Sequence, residues 1–347
     1  MGNRRARQIN IVDISDPTQP EWIGALPFPD GSQPAELRVL RGQHLLVVAD
    51  LTSDVSLLTF DISDCSSPHP LGSLVIESQP HEFFLWSNAA HTRAFVATDL
   101  AGPPDLLVID LDDPAVPVEI ARWSAADDGL TGPLHSVSVN AVGDTAYLSL
   151  SAQSLVVADL ELPSIRIRRQ EDNSPALAAF PGAHSAVPIA EVPFVVLTAE
   201  FYDCPFCGLA FAQLFDPAQP EIVAHIGLQE NRCEDLPDEA VFSAHNPLVV
   251  DNLVFISWYA GGLVALDVSD PFQPVLIGRF VPSGLGAAAE SYVGGYPVQM
   301  WSYPILRDGL IYIVGIQSGL YVLRYTGPGA EAVEQIALAE GNVIDEP

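Results

Sequence analysis

The chain has no lysine. Its 14 basic residues are all arginine and stand against 44 acidic ones, a formal charge of −30 over 347 residues. Nucleic acids are held by clustered Lys and Arg that displace counterions. The only tight basic groups here are Arg4, Arg5, Arg7 and Arg166, Arg168, Arg169, so nucleic acid is not expected as a partner. Long apolar runs are also missing: no stretch approaches the roughly 18 consecutive apolar residues of a membrane-crossing helix, and no transmembrane segment is expected. The basic start, Met1 to Arg7, leads into a strand-like segment and not into the apolar region of a signal peptide. Three chemical signatures are absent as well: the His-Glu-x-x-His helix, the phosphate-cradling glycine loop and the nucleophile elbow. Their absence leaves no sequence motif that names a reaction.

What is present is apolar residue, 48% of the chain, enough to bury a sizeable core. The acidity, spread along the whole length, reads as a solubility device with a long-range attraction for cations as its functional consequence. A repeat organises the rest. Ile9 to Pro20, with Asp13-Ile14-Ser15-Asp16-Pro17 at its centre, recurs as Phe60-Asp61-Ile62-Ser63-Asp64-Cys65, Ile109-Asp110-Leu111-Asp112-Asp113-Pro114 and Leu266-Asp267-Val268-Ser269-Asp270-Pro271. Weaker copies end at Pro163, Pro217 and Pro328. The turn positions 17, 65, 114, 163, 217, 271 and 328 are spaced by 48, 49, 49, 54, 54 and 57 residues, close to the period of a four-stranded propeller blade.

Each copy makes local sense. Alternating β-branched and aromatic residues form a strand, and Asp-Pro-x-x-Pro then forces a turn by fixing φ and removing donors. A short strand follows, as in Glu21-Trp22-Ile23-Gly24, and two strand-like runs precede six of the copies. The chain therefore reads as all-β and as one domain, residues 1–347: a seven-bladed β-propeller of four-stranded blades. Blades begin near residues 33, 80, 134, 183, 244 and 300, after a partial first blade over 1–32. Because that first copy lacks its two inner strands, a six-bladed ring is the alternative expectation. The missing half also raises the expectation of a longer natural start that carries an export signal.

The Asp-Ile-Ser-Asp-Pro-x-x-Pro phrase, the run Ser243-Ala244-His245-Asn246-Pro247 and the turn Trp258-Tyr259-Ala260-Gly261-Gly262-Leu263 resemble bacterial LVIVD-repeat proteins over nearly the whole chain. The resemblance implies a β-propeller, commonly exported or surface-attached, and no single activity. An extracellular or cell-envelope location is the corresponding expectation. The phrase Leu197-Thr198-Ala199-Glu200-Phe201 with His184 has a more distant similarity to selenium-binding proteins and methanethiol oxidases, propellers with histidines and a carboxylate near a proposed copper site. The longer histidine-rich phrases of that family are absent here.

Aligning the first inner strands places Glu36, His81, His135, His184, His245 and Trp301 in one slot, which takes four of the eight histidines. The ends of the second strands place Asp50, Asp99, Ser151, Glu200, Tyr259 and Ile316 in another. Antiparallel neighbours bring both slots to one rim. His81, His135, His184, His245 and Glu200 are the candidate metal ligands, because neutral imidazole and ionised carboxylate suit a divalent or copper ion. They can equally move protons, or the histidine can belong to the repeat itself, satisfying buried backbone groups at the rim. Glu36, Asp50, Asp99, Tyr259 and Trp301 are candidate ligand-binding residues.

Three of the four cysteines, Cys204, Cys207 and Cys233, fall in one blade. Without a second CxxC they do not make a zinc ribbon, and a structural disulfide of undefined pairing among them is expected, in keeping with an oxidising compartment. The Gly- and Ala-rich stretch Ser283 to Pro297 reads as a long loop that covers one face. The functional expectation is a monomeric binding module for protein or glycan acting through the histidine-bearing face. A metal-dependent, copper-using oxidoreductase is the alternative.

Overall fold

A computed structural model of the chain describes residues 2–3, 7–28, 32–51, 56–98, 103–151, 154–180, 182–190, 192–200, 208–231, 241–282, 300–316 and 318–345. The repeat owes its shape to its aspartates. Asp13 accepts the Ser15 amide at 2.8 Å and Asp16 the Thr18 amide at 2.9 Å; Asp61 and Ser63, Asp110 and Asp112, and Asp267 and Ser269 repeat the first contact at 2.7, 2.8 and 2.9 Å. These are side-chain-closed turns, and the donated hydrogen bonds hold the Asp13, Asp61 and Asp267 carboxyls below their ordinary range.

In the sheets that begin at Pro34, Glu82, Ala183 and Pro247 the turn joins the third strand to the fourth, and a register shift recurs just before it at Thr59/Phe60, Val108/Ile109, Phe211/Ala212 and Ala265/Leu266, as it does at Ile11/Val12 in the first copy. Such bulges add twist, and the hydroxyl of Thr59 shows what one can hold. It accepts from the Gly72 amide at 2.9 Å and donates to the Pro114 carbonyl at 2.6 Å.

Among the described residues six sheets have four strands or more. They begin at Pro34, Glu82, Leu134, Ala183, Pro247 and Ile305. The sheet Pro34–Leu40, Leu45–Asp50, Ser56–Asp61, His69–Val75 is typical: an antiparallel meander whose second strand is buried throughout and whose fourth is mostly exposed. The expectation of seven blades is corrected to six. Gln8–Asp13 and Glu21–Pro27 pair with each other and with the two-residue strand Gly2–Asn3, a three-stranded sheet. The first repeat supplies only third and fourth strands, so it cannot build a blade with buried inner strands. The chain is a β-propeller of four-stranded blades. Helix among the described residues is confined to the single turn Ala330–Val333 and three short 3-10 turns.

By Cα proximity the chain divides into two units, one comprising Met1–Ala146, Ala158–Arg166 and Asn342–Pro347, the other Tyr147–Val157 and Ile167–Gly341. The first is built on Leu40, Val47, Leu57, Phe83, Leu85, Val96 and Ile109. Its inner edge is extended by Val343–Asp345, which runs parallel to Glu82–Ser87 and lends the Asp345 carboxylate to the Gly42 amide at 3.0 Å. Among the described residues the second unit holds apolar clusters around Phe211 and Trp258, around Val195 and Leu197, around Phe255 and Met300, and around Val241 and Tyr259. Each fully buried Phe contributes roughly 1.5–3 kcal/mol.

Candidate functional site

In the second unit the site begins with a broken alternation. The strand Ala183–Pro188 skips a pairing between Ala183, opposite Ala199, and Ser185, opposite Thr198. A regular strand would send neighbouring side chains to opposite faces. The bulge instead lets His184 Nδ1 meet Ser185 Oγ at 2.8 Å, and Ser185 Oγ lies 3.3 Å from the Tyr303 hydroxyl. His184 is 1% exposed. Glu200 follows the strand Phe194–Ala199, its amide donating to the Gly182 carbonyl at 3.3 Å.

His245 precedes the strand Pro247–Val250 and is tied down on its outer side. Its Nδ1 donates to the Trp301 carbonyl at 2.7 Å, and the same oxygen accepts from Asn246 Nδ2 at 3.0 Å and Ser257 Oγ at 3.2 Å. A carbonyl can only accept, so Nδ1 carries the proton and the lone pair of a neutral ring is left on Nε2. That nitrogen faces Glu200 Oε1 at 3.7 Å, while His184 Nε2 faces Glu200 Oε2 at 3.6 Å.

The lone pair of His245 Nε2 and the Glu200 carboxylate together favour positive charge between them. A proton supplies it, and so does a metal ion. Two ligands about 2.1 Å from one ion at a tetrahedral angle are about 3.4 Å apart, so both spacings suit coordination with small adjustment. The outer nitrogen of His245 also has the carbonyl partner that fixes the tautomer of a ligating histidine, while that of His184 meets the Ser185 hydroxyl.

Aromatic rings complete the cluster. The His184 and His245 rings are 4.3 Å apart, Trp301 lies 4.4 Å from His245, and Tyr259 stacks on Trp301 at 5.2 Å with planes 5° apart. The Tyr259 hydroxyl donates to Glu200 Oε1. Four expected site residues, His184, His245, Tyr259 and Trp301, thus gather around the fifth, Glu200.

In the first unit His81 and His135 meet edge to face at 4.2 Å. Close to His135 lies Glu82, which sequence reasoning missed because the slot alignment took only His81 from this part of the chain. It is 4% exposed, and burial pushes its carboxyl up to about 7 against the opposing pull of His135, Arg38 and the Ser136 hydroxyl, with Glu36 adding to the rise. Glu36 binds Arg38 at 2.9 Å, and Arg38 lies over the Phe83 ring at 5.5 Å. Asp50 accepts the Gln33 amide at 2.7 Å, so Glu36 and Asp50, the two candidate residues of that sheet, are engaged locally. Asp99, Cys204, Cys207, Cys233 and the stretch 283–297 lie outside the described residues. Ser185, Asn246 and Ser257 were also missed, and only the direct adjacency of the first two to His184 and His245 could have marked them.

The meander sheets define a β-propeller, and comparisons with solved structures agree. A functionally unknown protein from Desulfotomaculum acetoxidans superposes with TM-score 0.65 at 9% identity, covering 99% of this chain and 98% of that one. The Cps50 (Swd1) β-propeller domain of Myceliophteria thermophila gives 0.60 at 11%, covering 94% and 96%. A hypothetical selenium-binding protein from Sulfolobus tokodaii gives 0.60 at 12%, covering 98% and 89%. At these identities the likeness is one of fold. The LVIVD repeat family model matches residues 6–26 and 243–281, so the propeller carries LVIVD repeats at these two segments. No curated protein matches its sequence. Among the described residues no helix is long and apolar enough to cross a membrane.

Proposed function

We propose that this chain is a metal-binding LVIVD-repeat propeller in which His184, His245 and Glu200 hold a transition-metal ion. The observation that carries the reading is the convergence of two imidazole Nε2 atoms on one carboxylate, at 3.6 and 3.7 Å, with the far nitrogen of His245 locked by the Trp301 carbonyl. Two imidazoles and a carboxylate suit zinc, copper(II), nickel or iron and do not favour calcium or magnesium, which prefer all-oxygen shells. A bound ion supplies either a Lewis acid or, if copper or iron, a redox couple. The chain's own residues do the rest: Ser185 and Trp301 orient the imidazoles, and the rings of Tyr259 and Trp301 keep water off one side of the cluster. The surrounding charge of −30 raises the local concentration of cations.

Metal analysis of protein purified without chelator tests the proposal. Near-stoichiometric transition metal is expected, as is a rise in melting temperature when copper or zinc is restored to stripped protein. Metal-free protein whose melting is unmoved by either ion overturns it.

A further inference from the structure

We infer that Tyr259 is a positioning residue that fixes how Glu200 presents its carboxylate to the two histidines. This rests on the metal-binding reading and concerns a residue that would not itself touch the ion. The argument starts from the backbone. Tyr259 has φ +35°, a left-handed conformation that a bulky side chain rarely adopts and that costs on the order of 1–3 kcal/mol. The turn around it enforces the strain. Gly262 N donates to Tyr259 O at 3.0 Å, Met300 N to the same oxygen at 3.2 Å, and Ala260 N to Val241 O at 3.0 Å.

Gly262, at φ +84°, has no room for a side chain, because a Cβ there would lie 2.0 Å from the Phe280 carbonyl. The tight turn therefore leaves residue 259 little freedom. A glycine or asparagine at 259 would tolerate the conformation, yet the position carries a fully buried tyrosine.

Its ring is clamped face to face on Trp301, and its hydroxyl reaches Glu200 on a different sheet. The effect on the carboxylate is specific. The Tyr259 hydroxyl holds Oε1, the oxygen that faces His245 Nε2 at 3.7 Å, while Oε2 faces His184 Nε2 at 3.6 Å. Tyr259 thereby sets the rotation at which the carboxylate presents its two oxygens to the two imidazoles. Hydrogen bonds to ligating carboxylates of this kind typically change metal affinity 10–100-fold when removed.

The test uses the intact chain and copper(II) alone. Stripped wild type, Tyr259→Phe and Tyr325→Phe are each titrated with copper(II), and their electron paramagnetic resonance spectra are compared. Tyr325 is the control, a buried tyrosine whose hydroxyl donates to the Pro328 carbonyl at 2.8 Å, remote in the chain from the cluster. Tyr259→Phe is expected to bind 10–100-fold more weakly with altered copper hyperfine parameters, and Tyr325→Phe to match wild type. If Tyr259→Phe binds with wild-type affinity and spectrum, the positioning role is overturned while the metal reading stands. If wild type binds no copper, the metal reading has failed first. Should Tyr259→Phe not fold, tyrosine Raman bands of the wild type decide. A strongly donating tyrosine present both with and without copper supports the role, and its loss on copper binding overturns it.

Discussion

His245 Nδ1 lies 2.7 Å from the carbonyl oxygen of Trp301, and this contact fixes the chemistry of the ring: the proton is outside, the lone pair inside, toward Glu200. In nitrogen-resolved NMR, His245 is expected as the Nδ1-protonated tautomer, with the Nε2 resonance shifting when zinc is added. His245→Ala is expected to weaken copper or zinc binding by at least about 100-fold, the loss of a ligand being larger than the 10–100-fold typical of outer-shell changes. His91→Ala serves as the comparison, because His91 is exposed and bound to Asp112 at 3.0 Å on the surface. Equal loss in both variants would mean that copper binds the surface and not the cluster.

Buried Glu82 gives the first unit a pH dependence. Its carboxyl rises from 4.5 to about 7 on folding, chiefly through burial. The folded state therefore holds this proton more tightly than the unfolded chain, so the associated stability is fully present below pH 4.5 and lost as pH rises through about 7. The difference is on the order of 3 kcal/mol. Glu82→Gln, neutral at every pH, is expected to flatten this part of the stability profile between pH 5 and 8. A wild-type profile that does not fall relative to the variant in that range would show that His135 and Arg38 compensate the buried charge.

The repeat was legible because its turns are local: Asp13, Asp61, Asp110 and Asp267 close them with contacts two residues away. The histidine slot was legible for the same reason, since position in a repeat becomes position in a blade. Blade number was not, because it depends on strands that the first copy lacks. The pairing of acids with histidines was legible only in part. His184 meets Glu200 within one sheet, as the alignment expects, but Tyr259 reaches the same carboxylate from another sheet. The His184–Ser185 contact escaped because alternation assigns adjacent residues to opposite faces, and the bulge between Ala183 and Ser185 overrides that rule.

Thr59 offers a test of the bulge. Its hydroxyl is fully buried and serves the Gly72 amide and the Pro114 carbonyl together. Thr59→Val keeps the shape and strands both partners, which predicts a loss of about 1–3 kcal/mol in chemical denaturation. A change below about 0.5 kcal/mol would show that water or backbone adjustment replaces the hydroxyl.

Two glycines separate backbone strain from steric overlap. Gly129 and Gly143 have similar conformations, φ +74° and +83°, but a Cβ on Gly129 would meet nothing within 4 Å, whereas one on Gly143 would lie 2.4 Å from the Trp86 ring. That indole cannot easily retreat, because its Nε1 donates to the Ala141 carbonyl at 2.9 Å and holds it against the Asn140–Thr145 turn. Gly129→Ala should therefore cost only the left-handed conformation, about 1 kcal/mol. Gly143→Ala adds overpacking, for a total of about 2–4 kcal/mol, and should shift tryptophan fluorescence as Trp86 is displaced. Equal costs in the two variants, with unchanged fluorescence, would mean that the turn moves as a body and that the indole does not define its place.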